Sequence, residues 1–295
     1  MKSKKVPLVI VCKTYKGDID LFRRLYKSYI KYNVDKLPLY ISVPESDYDL
    51  YKEFIKDGVK LLTDESYAKE YLTDNNKALI GLSIGYINQE ICKLAFWENK
   101  LAENYLFVDS DTYFIRNFYI SDFMANAKTP YSVLVMDKDL NIQKNYRDFG
   151  VYRTSQIKKI FDLVGLKDKR LLTCHTSTVL NSNVLYDFKK KFMIPKKLSY
   201  KDLIEIAPYE YSWYNAWLQK SKIIDILNVE SFIKIFHTRM DYIIFRVNLI
   251  SQANIAEKYV GIILNSNWKP KPAPSNYEDP SLKHKLINKL IRLIG

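Results

Sequence analysis

Four short apolar runs recur in the first 108 residues of the chain: PLVIVC (7–12), PLYISV (38–43), VKLLT (59–63) and YLFV (105–108). Segments of helical period stand between them. Ile19, Phe22, Arg23, Tyr26 and Ile30 follow the first run at helical spacing. Ile84, Ile87, Ile91, Leu94, Ala95 and Leu101 share one helical face ahead of the fourth. Strands that read as unbroken apolar runs are covered on both faces, and the helices between them are what covers them. The alternation predicts an α/β fold with a mostly parallel central sheet. SDYDLYKEFI (46–55) adds a helix after the second run, capped by Ser46 or Asp47.

Further along, SVLVM (132–136) reads as a strand and YSWYNAWLQK (211–220) as a helix. IIDIL and FIKIF, within 223–236, read as paired strands, and 249–262 as a helix. Pro270, Pro272, Pro274 and Pro280 make 270–280 an extended linker. The segment after it, SLKHKLINKLIRLIG (281–295), is amphipathic. Its leucines and isoleucines fall on one half of the wheel, with Lys285, Lys289, Arg292 and His284 on the other. That pattern suits a helix lying on an anionic membrane surface, with docking on the domain as an ordinary C-terminal helix the alternative.

A chain of 295 residues with 47% hydrophobic content can bury a sizeable core. Only eight glycines occur, with no GxGxxG and no GxxxxGK[ST], which argues against a dinucleotide fingerprint and a P-loop. The formal charge of +13 favours an anionic partner. Cys12, Cys92 and Cys174 are far apart and set among apolar or helical neighbours, as expected of reduced thiols in a cytoplasmic protein. The opening MKSKKVPLVIVCKTYKGD reads as a first core strand, because Lys13 interrupts the apolar stretch and no small-residue cleavage site follows. No segment approaches the roughly 18 apolar residues that a membrane span requires.

Chemistry is most legible at YLFVDSDTYFI (105–115). Asp-x-Asp also occurs at Asp18/Asp20, Asp47/Asp49 and Asp137/Asp139, so the pattern alone decides nothing. The first two of these pairs sit at helix starts, where the macrodipole welcomes them. Asp137 and Asp139 follow a strand and are true rivals. Asp109 and Asp111 close an apolar strand, and burial resumes at once with Tyr113, Phe114 and Ile115. Carboxylates held between buried segments need a cation or several donors to stay ionised. A haloacid-dehalogenase DxDx[TV] motif would lie on the first strand, and Tyr113 holds its fifth position here.

FVDSDTYFI after a helix and an apolar strand resembles the DxD region of GT-A-fold glycosyltransferases. GYINQEICKLAFW (85–97) and VIVCKTYKGDIDLFRRL (9–25) are similar to a little-described bacterial family of such enzymes, of the surface-polysaccharide type. The resemblance implies a single GT-A-like domain over 1–269. Residues 1–116 would form a Rossmann-type nucleotide-sugar half and 117–269 an acceptor half. It implies Mn²⁺ or Mg²⁺ as cofactor and a UDP-sugar as donor. Asp111 would bind the metal, Asp109 would share the ion or contact the ribose, and His237 would be a further ligand from the C-terminal half. Lys13, Thr14 and Tyr15 would receive base and ribose. Gln89, Lys93, Asp109, Ser110 and Lys269 would complete the donor site.

Loss of a proton from an acceptor hydroxyl calls for a carboxylate base if the reaction inverts. Glu210, set among aromatics in APYEYSWYNAWL, is one candidate and Asp137 the other. His175, Tyr211 and Trp213 are the candidates for contacting the acceptor, a glycan or lipid-linked saccharide. A nucleotidyltransferase is the nearest enzymatic rival, but CKTYKGD lacks the glycine-rich loop it would want. A noncatalytic binder of anionic glycans or nucleic acid is the rival of another class. The lysines are spread along the chain instead of clustered, so no nucleic-acid partner is expected.

Overall fold

The computed structural model describes residues 6–74, 82–136, 147–167, 170–174, 177–237, 239–247 and 251–265. The apolar runs become β1 (Val6–Lys13), β2 (Leu39–Val43), β3 (Val59–Thr63) and β4 (Ala102–Phe107), parallel to one another. β7 (Val179–Asn181) joins them antiparallel, and the five-stranded sheet runs β3-β2-β1-β4-β7. Ile10 of β1 pairs with Leu39 on one side and Leu106 on the other. Leu8 through Cys12 are fully buried, as the unbroken apolar run requires. Each such side chain contributes about 2 kcal/mol relative to an exposed one.

The strand order places the site. The chain lays β2 and then β3 on one side of β1, then returns to lay β4 on the other. Right-handed crossovers put the intervening helices, α1 (Ile19–Tyr32) and α4 (Ile84–Ala95), on opposite faces. The carboxyl ends of β1 and β4 are therefore the switch point, whose crevice is where open α/β sheets bind ligands. α1 buries Phe22, Leu25 and Tyr29, spaced by three and four. The backbone N–H of Tyr86 donates to the Ser83 hydroxyl and caps α4. That helix buries Glu90 and Lys93 along with Ile87, Ile91 and Leu94. Two shorter helices, α2 (Tyr48–Tyr51) and α3 (Glu65–Ala68), follow β2 and β3.

A second sheet, ordered β5-β10-β9, carries the chain onward from the aspartates. β5 (Thr112–Phe114) pairs antiparallel with β10 (Gly261–Leu264), which pairs parallel with β9 (Ile233–Phe236). A Cβ at Gly261 would stand 3.0 Å from the Tyr113 carbonyl oxygen, so this crossing needs glycine. β6 (Tyr131–Val133) and β8 (Leu227–Val229) form a separate parallel pair. In the second half are α5 (Arg147–Val164), α6 (Ser182–Phe188), α7 (Tyr200–Ile206) and α8 (Glu210–Ser221); α6 packs against β4 and β7, α7 against α4, and α8 against α4, α5 and α6. Residues 210 to 218 of α8 are all buried, as in a helix enclosed on every side.

Several expectations are corrected. The strands in 223–236 do not pair with each other, because β8 goes to β6 and β9 to β10. Among the described residues of 249–262, only Gln252–Ala256 is helical, and Gly261 begins β10. A helix at Arg239–Val247 was not anticipated. Neither Ser46 nor Asp47 caps α2. Asp47 instead accepts the Lys16 backbone N–H at 2.7 Å, tying down the loop after β1. The expected linker and C-terminal amphipathic helix, residues 270–295, lie outside the described residues. Among those described, no helix is long and apolar enough to cross a membrane.

Candidate active site

β4 ends in a turn in which the Thr112 N–H donates to the Asp109 carbonyl at 3.0 Å. The Val108 N–H still bonds the Val11 carbonyl, so the aspartates lie beside the end of β1. Three contacts fix the turn. The Ser110 hydroxyl donates to Asp18 Oδ2 at 2.6 Å, Arg24 Nη2 donates to the Asp111 carbonyl at 3.0 Å, and the Arg24 guanidinium lies 4.7 Å from the Tyr113 ring centre. Burial pushes the Cys12 thiol well up. The charges of Asp109, Asp18 and Asp111 add to that and Lys13 opposes it, so all three acids act on the tip of β1.

Lys93 is the hub. Its side chain is 4% exposed, and Nζ lies 3.0 Å from Asp109 Oδ1, 3.0 Å from Glu210 Oε1 and 3.7 Å from Glu90 Oε1. The Tyr211 ring centre is 5.1 Å away, and Gln89 Nε2 reaches Asp109 Oδ1 at 3.5 Å. Glu90 Oε2 is buried with no hydrogen-bond partner. Burial raises the Glu90 carboxyl to about 7, with Lys93 pulling it down and Asp109 pushing it up. For Lys93, burial works against the charged form, but Asp109 and Glu90 together prevail and its pKa is raised.

The loop after β1 has a smaller network. Lys13 Nζ lies 2.9 Å from Asp64 Oδ2 and donates to the Thr14 carbonyl at 2.8 Å, and Ser42 Oγ donates to Asp64 Oδ1 at 2.6 Å. Burial raises the Asp64 carboxyl, with Lys13 and Ser42 opposing. Thr14 Oγ1 meets the Tyr51 hydroxyl at 3.1 Å, and that hydroxyl donates to the Tyr15 carbonyl. Tyr15 itself is 49% exposed at the mouth.

Gln89, Lys93, Asp109, Glu210 and Tyr211, chosen from segments over a hundred residues apart, thus meet at one point. Lys13, Thr14, Tyr15, Ser110 and Asp111 border it. His237 follows β9 at the same end of the small sheet as Asp111. Thr112 pairs with Ile263, and Leu264 with Phe236, which leaves Asp111 and His237 two strand spacings apart, roughly 10 Å along the backbone. Among the described residues no three metal-capable side chains converge. Trp213 is corrected. It is fully buried, its indole N–H bonds the Leu203 and Ala207 carbonyls, and it offers no face to a sugar. Asp137, His175 and Lys269 lie outside the described residues. Sequence reasoning missed Glu90, Asp64 and Asp18.

Among the described residues, Asp18, Asp64, Glu90, Asp109, Asp111 and Glu210 lie toward this end of the sheet with Lys13, Arg24 and Lys93. Oxygen-rich, acid-biased strand ends suit a hard divalent cation. Mg²⁺ and Mn²⁺ commonly take one or two carboxylates and complete their shell with water and substrate phosphate. Asp109 and Asp111 are carboxylates of that kind, with Asp109 held through Oδ1 by Lys93 and Gln89.

These features define an α/β protein with an acidic switch-point crevice. Residues 3–234 match the family described as a family of unknown function, DUF6492, and the chain belongs to it. No curated protein matches the chain. Among solved structures it is distantly similar to mouse xyloside xylosyltransferase 1 in its apo form. The identity is 8%, covering 90% of this chain and 99% of that one, with a TM-score of 0.45. It is also similar to core-mannan synthase A from Aspergillus fumigatus in a Mn/GDP form, at 7% identity over 74% and 71% of the two chains and a TM-score of 0.47. The galactosyltransferase LgtC with donor and acceptor sugar analogs matches at 8% identity over 88% and 87%, TM-score 0.41.

Proposed function

We propose that the chain is a divalent-metal-dependent glycosyltransferase that takes a UDP-sugar donor. The observation that carries this reading is the Asp109–Ser110–Asp111 turn at the β1/β4 switch point, joined through Lys93 to Glu210. Asp109 and Asp111 would hold the ion, with His237 the further ligand from the end of β9, two strands away. When bound, the ion neutralises charge on the leaving diphosphate as a Lewis acid.

The chain's own residues divide the remaining work. The Lys13–Thr14–Tyr15 loop, braced by Tyr51 and Asp47, receives the nucleoside. Gln89 and Lys93 orient Asp109. Glu210, held by Lys93, is the carboxylate within reach of an acceptor hydroxyl, and Tyr211 borders the same space. Lys269 on the donor side, with His175 and Asp137 on the acceptor side, completes the proposed set. The acceptor is a glycan or lipid-linked saccharide of a bacterial surface polysaccharide, met at the inner face of the cytoplasmic membrane.

Isothermal titration with UDP, with and without Mn²⁺, tests the reading. Tight binding only with Mn²⁺, lost in Asp111→Ala, is the expected outcome. Equal binding without metal, or binding untouched by Asp111→Ala, would sink it, and release of pyrophosphate instead of UDP would assign a nucleotidyltransferase.

A further inference from the structure

Away from the crevice, the chain from residue 186 to 198 gathers five lysines and one acid around an exposed apolar tip. Tyr186, Lys190 and Ile194 are spaced by four and extend α6 as one stripe, and Pro195, Lys196 and Lys197 close it. Ile194 is 62% exposed and Tyr186 54%. Two of the lysines are answered: Lys189 by Glu98 at 2.7 Å and Lys191 by Asp187 at 2.7 Å. No carboxylate pairs with Lys190, Lys196 or Lys197 among the described contacts. Lys190 Nζ lies 5.8 Å from the Tyr186 ring centre and Lys196 Nζ 5.4 Å from that of Phe192, which holds both beside the stripe.

The tip is built, not loose. α6 runs into a π-helical turn over Lys189–Met193, and the Ile194 N–H bonds the Lys189 carbonyl at 3.0 Å. Phe192 and Met193 are buried beneath it, with Phe192 stacked on Phe188 at 5.3 Å between ring centres. The Lys197 N–H returns to the Ile194 carbonyl, the Leu198 N–H to that of Met193, and Lys197 takes a left-handed φ of 55°. A lysine-rich face that served solubility alone would have no need of an isoleucine and a proline held outward by such a frame. An apolar wedge ringed by uncompensated ammonium groups has the chemistry of an interfacial lipid contact, in which the wedge enters the headgroup layer and the lysines meet anionic lipid.

We propose that this tip docks on an anionic lipid bilayer, with Ile194 and Pro195 inserted and Lys190, Lys196 and Lys197 at the headgroups. The proposal is independent of the crevice chemistry and of the C-terminal segment. To test it, full-length Ile194→Cys protein is labelled with a solvatochromic maleimide, Cys12, Cys92 and Cys174 being buried. It is then mixed with phosphatidylcholine vesicles with or without phosphatidylserine. A blue shift with the anionic vesicles alone is expected. Adding Lys190→Gln, Lys196→Gln and Lys197→Gln should weaken the vesicle partitioning read at this label about a hundredfold, on the order of tenfold or less per lysine, with the unfolding curve unchanged. Three results would overturn the proposal: a label unmoved by the anionic vesicles, a shift insensitive to the three substitutions, or an equal shift with heparin alone, which would assign a polyanion site.

Discussion

Two buried lysines at the carboxyl end of the sheet differ in how many charges they answer. Lys13 meets one carboxylate, Asp64, whose other oxygen accepts from Ser42. The set is closed, and it fastens β1 to the end of β3 across β2. Lys93 meets three carboxylates, from α4, the end of β4 and the start of α8, and leaves one Glu90 oxygen without a partner. A closed pair can only be broken. An ammonium shared among three carboxylates can trade partners, so Asp109 can turn to a cation while Glu210 and Glu90 keep Lys93 compensated. The first lysine fixes the loop proposed to receive the nucleoside, and the second is free to rearrange within the proposed site.

The hardest test of that contrast is Lys13→Met, which strands Asp64 as a buried carboxylate. It should cost about 3–5 kcal/mol in chemical denaturation, and a cost no larger than that of a surface substitution would remove Lys13 from the scaffold. Glu90→Gln sharpens the other side. With its carboxyl at about 7 against 4.5 for the free group, Glu90 keeps in the folded chain a proton that the unfolded chain has released. Stability therefore falls as pH rises from 4.5 through 7, by about 3 kcal/mol in all, and the loss is complete above pH 7. Unfolding curves from pH 5 to 8 should show Glu90→Gln gaining on the wild type across this window; parallel curves would mean that Glu90 is not strained. The smallest effect belongs to Asp18→Ala, which frees the Ser110 hydroxyl. A loss of about 1 kcal/mol is expected, with metal-dependent UDP binding weakened more than stability. Unchanged UDP affinity would make Asp18 merely structural.

The legible parts of the fold were those with enough consecutive residues to declare a period. β1 and β4 are buried on both faces and read as unbroken apolar runs, and α1 and α4 show several apolar positions at helical spacing. β7 has three residues, and β10, four residues long, sits in a window where GIIL reads equally as the end of a helix. The partner of β7 lies more than seventy residues away, and β10 is set between one partner 28 residues back and another about 150 back. At the site, Glu90 was hidden because one acid in NQEIC looks like the solvent side of an amphipathic helix. Asp64 carried a usable signal, since it follows VKLLT directly as Asp109 follows VDSD's own apolar run. Asp18 was assigned to the helix dipole, and only its contact with Ser110 draws it into the turn. Trp213 erred in the opposite direction, because aromatics on a helix enclosed on all sides are core before they are platforms.

The pairing of β5 with β10 has a consequence in time. Thr112 leaves the aspartate turn and finds its partner at Ile263, about 150 residues later. At roughly 5–20 residues per second of synthesis, the strand beyond the turn waits on the order of 10–30 s for that partner. During this interval β1 to β4 and the helices between them are in hand, yet one flank of the aspartate turn is an unpaired edge. The nascent chain thus acquires its fold well before it acquires a finished crevice, and β10 is the strand that ends the delay.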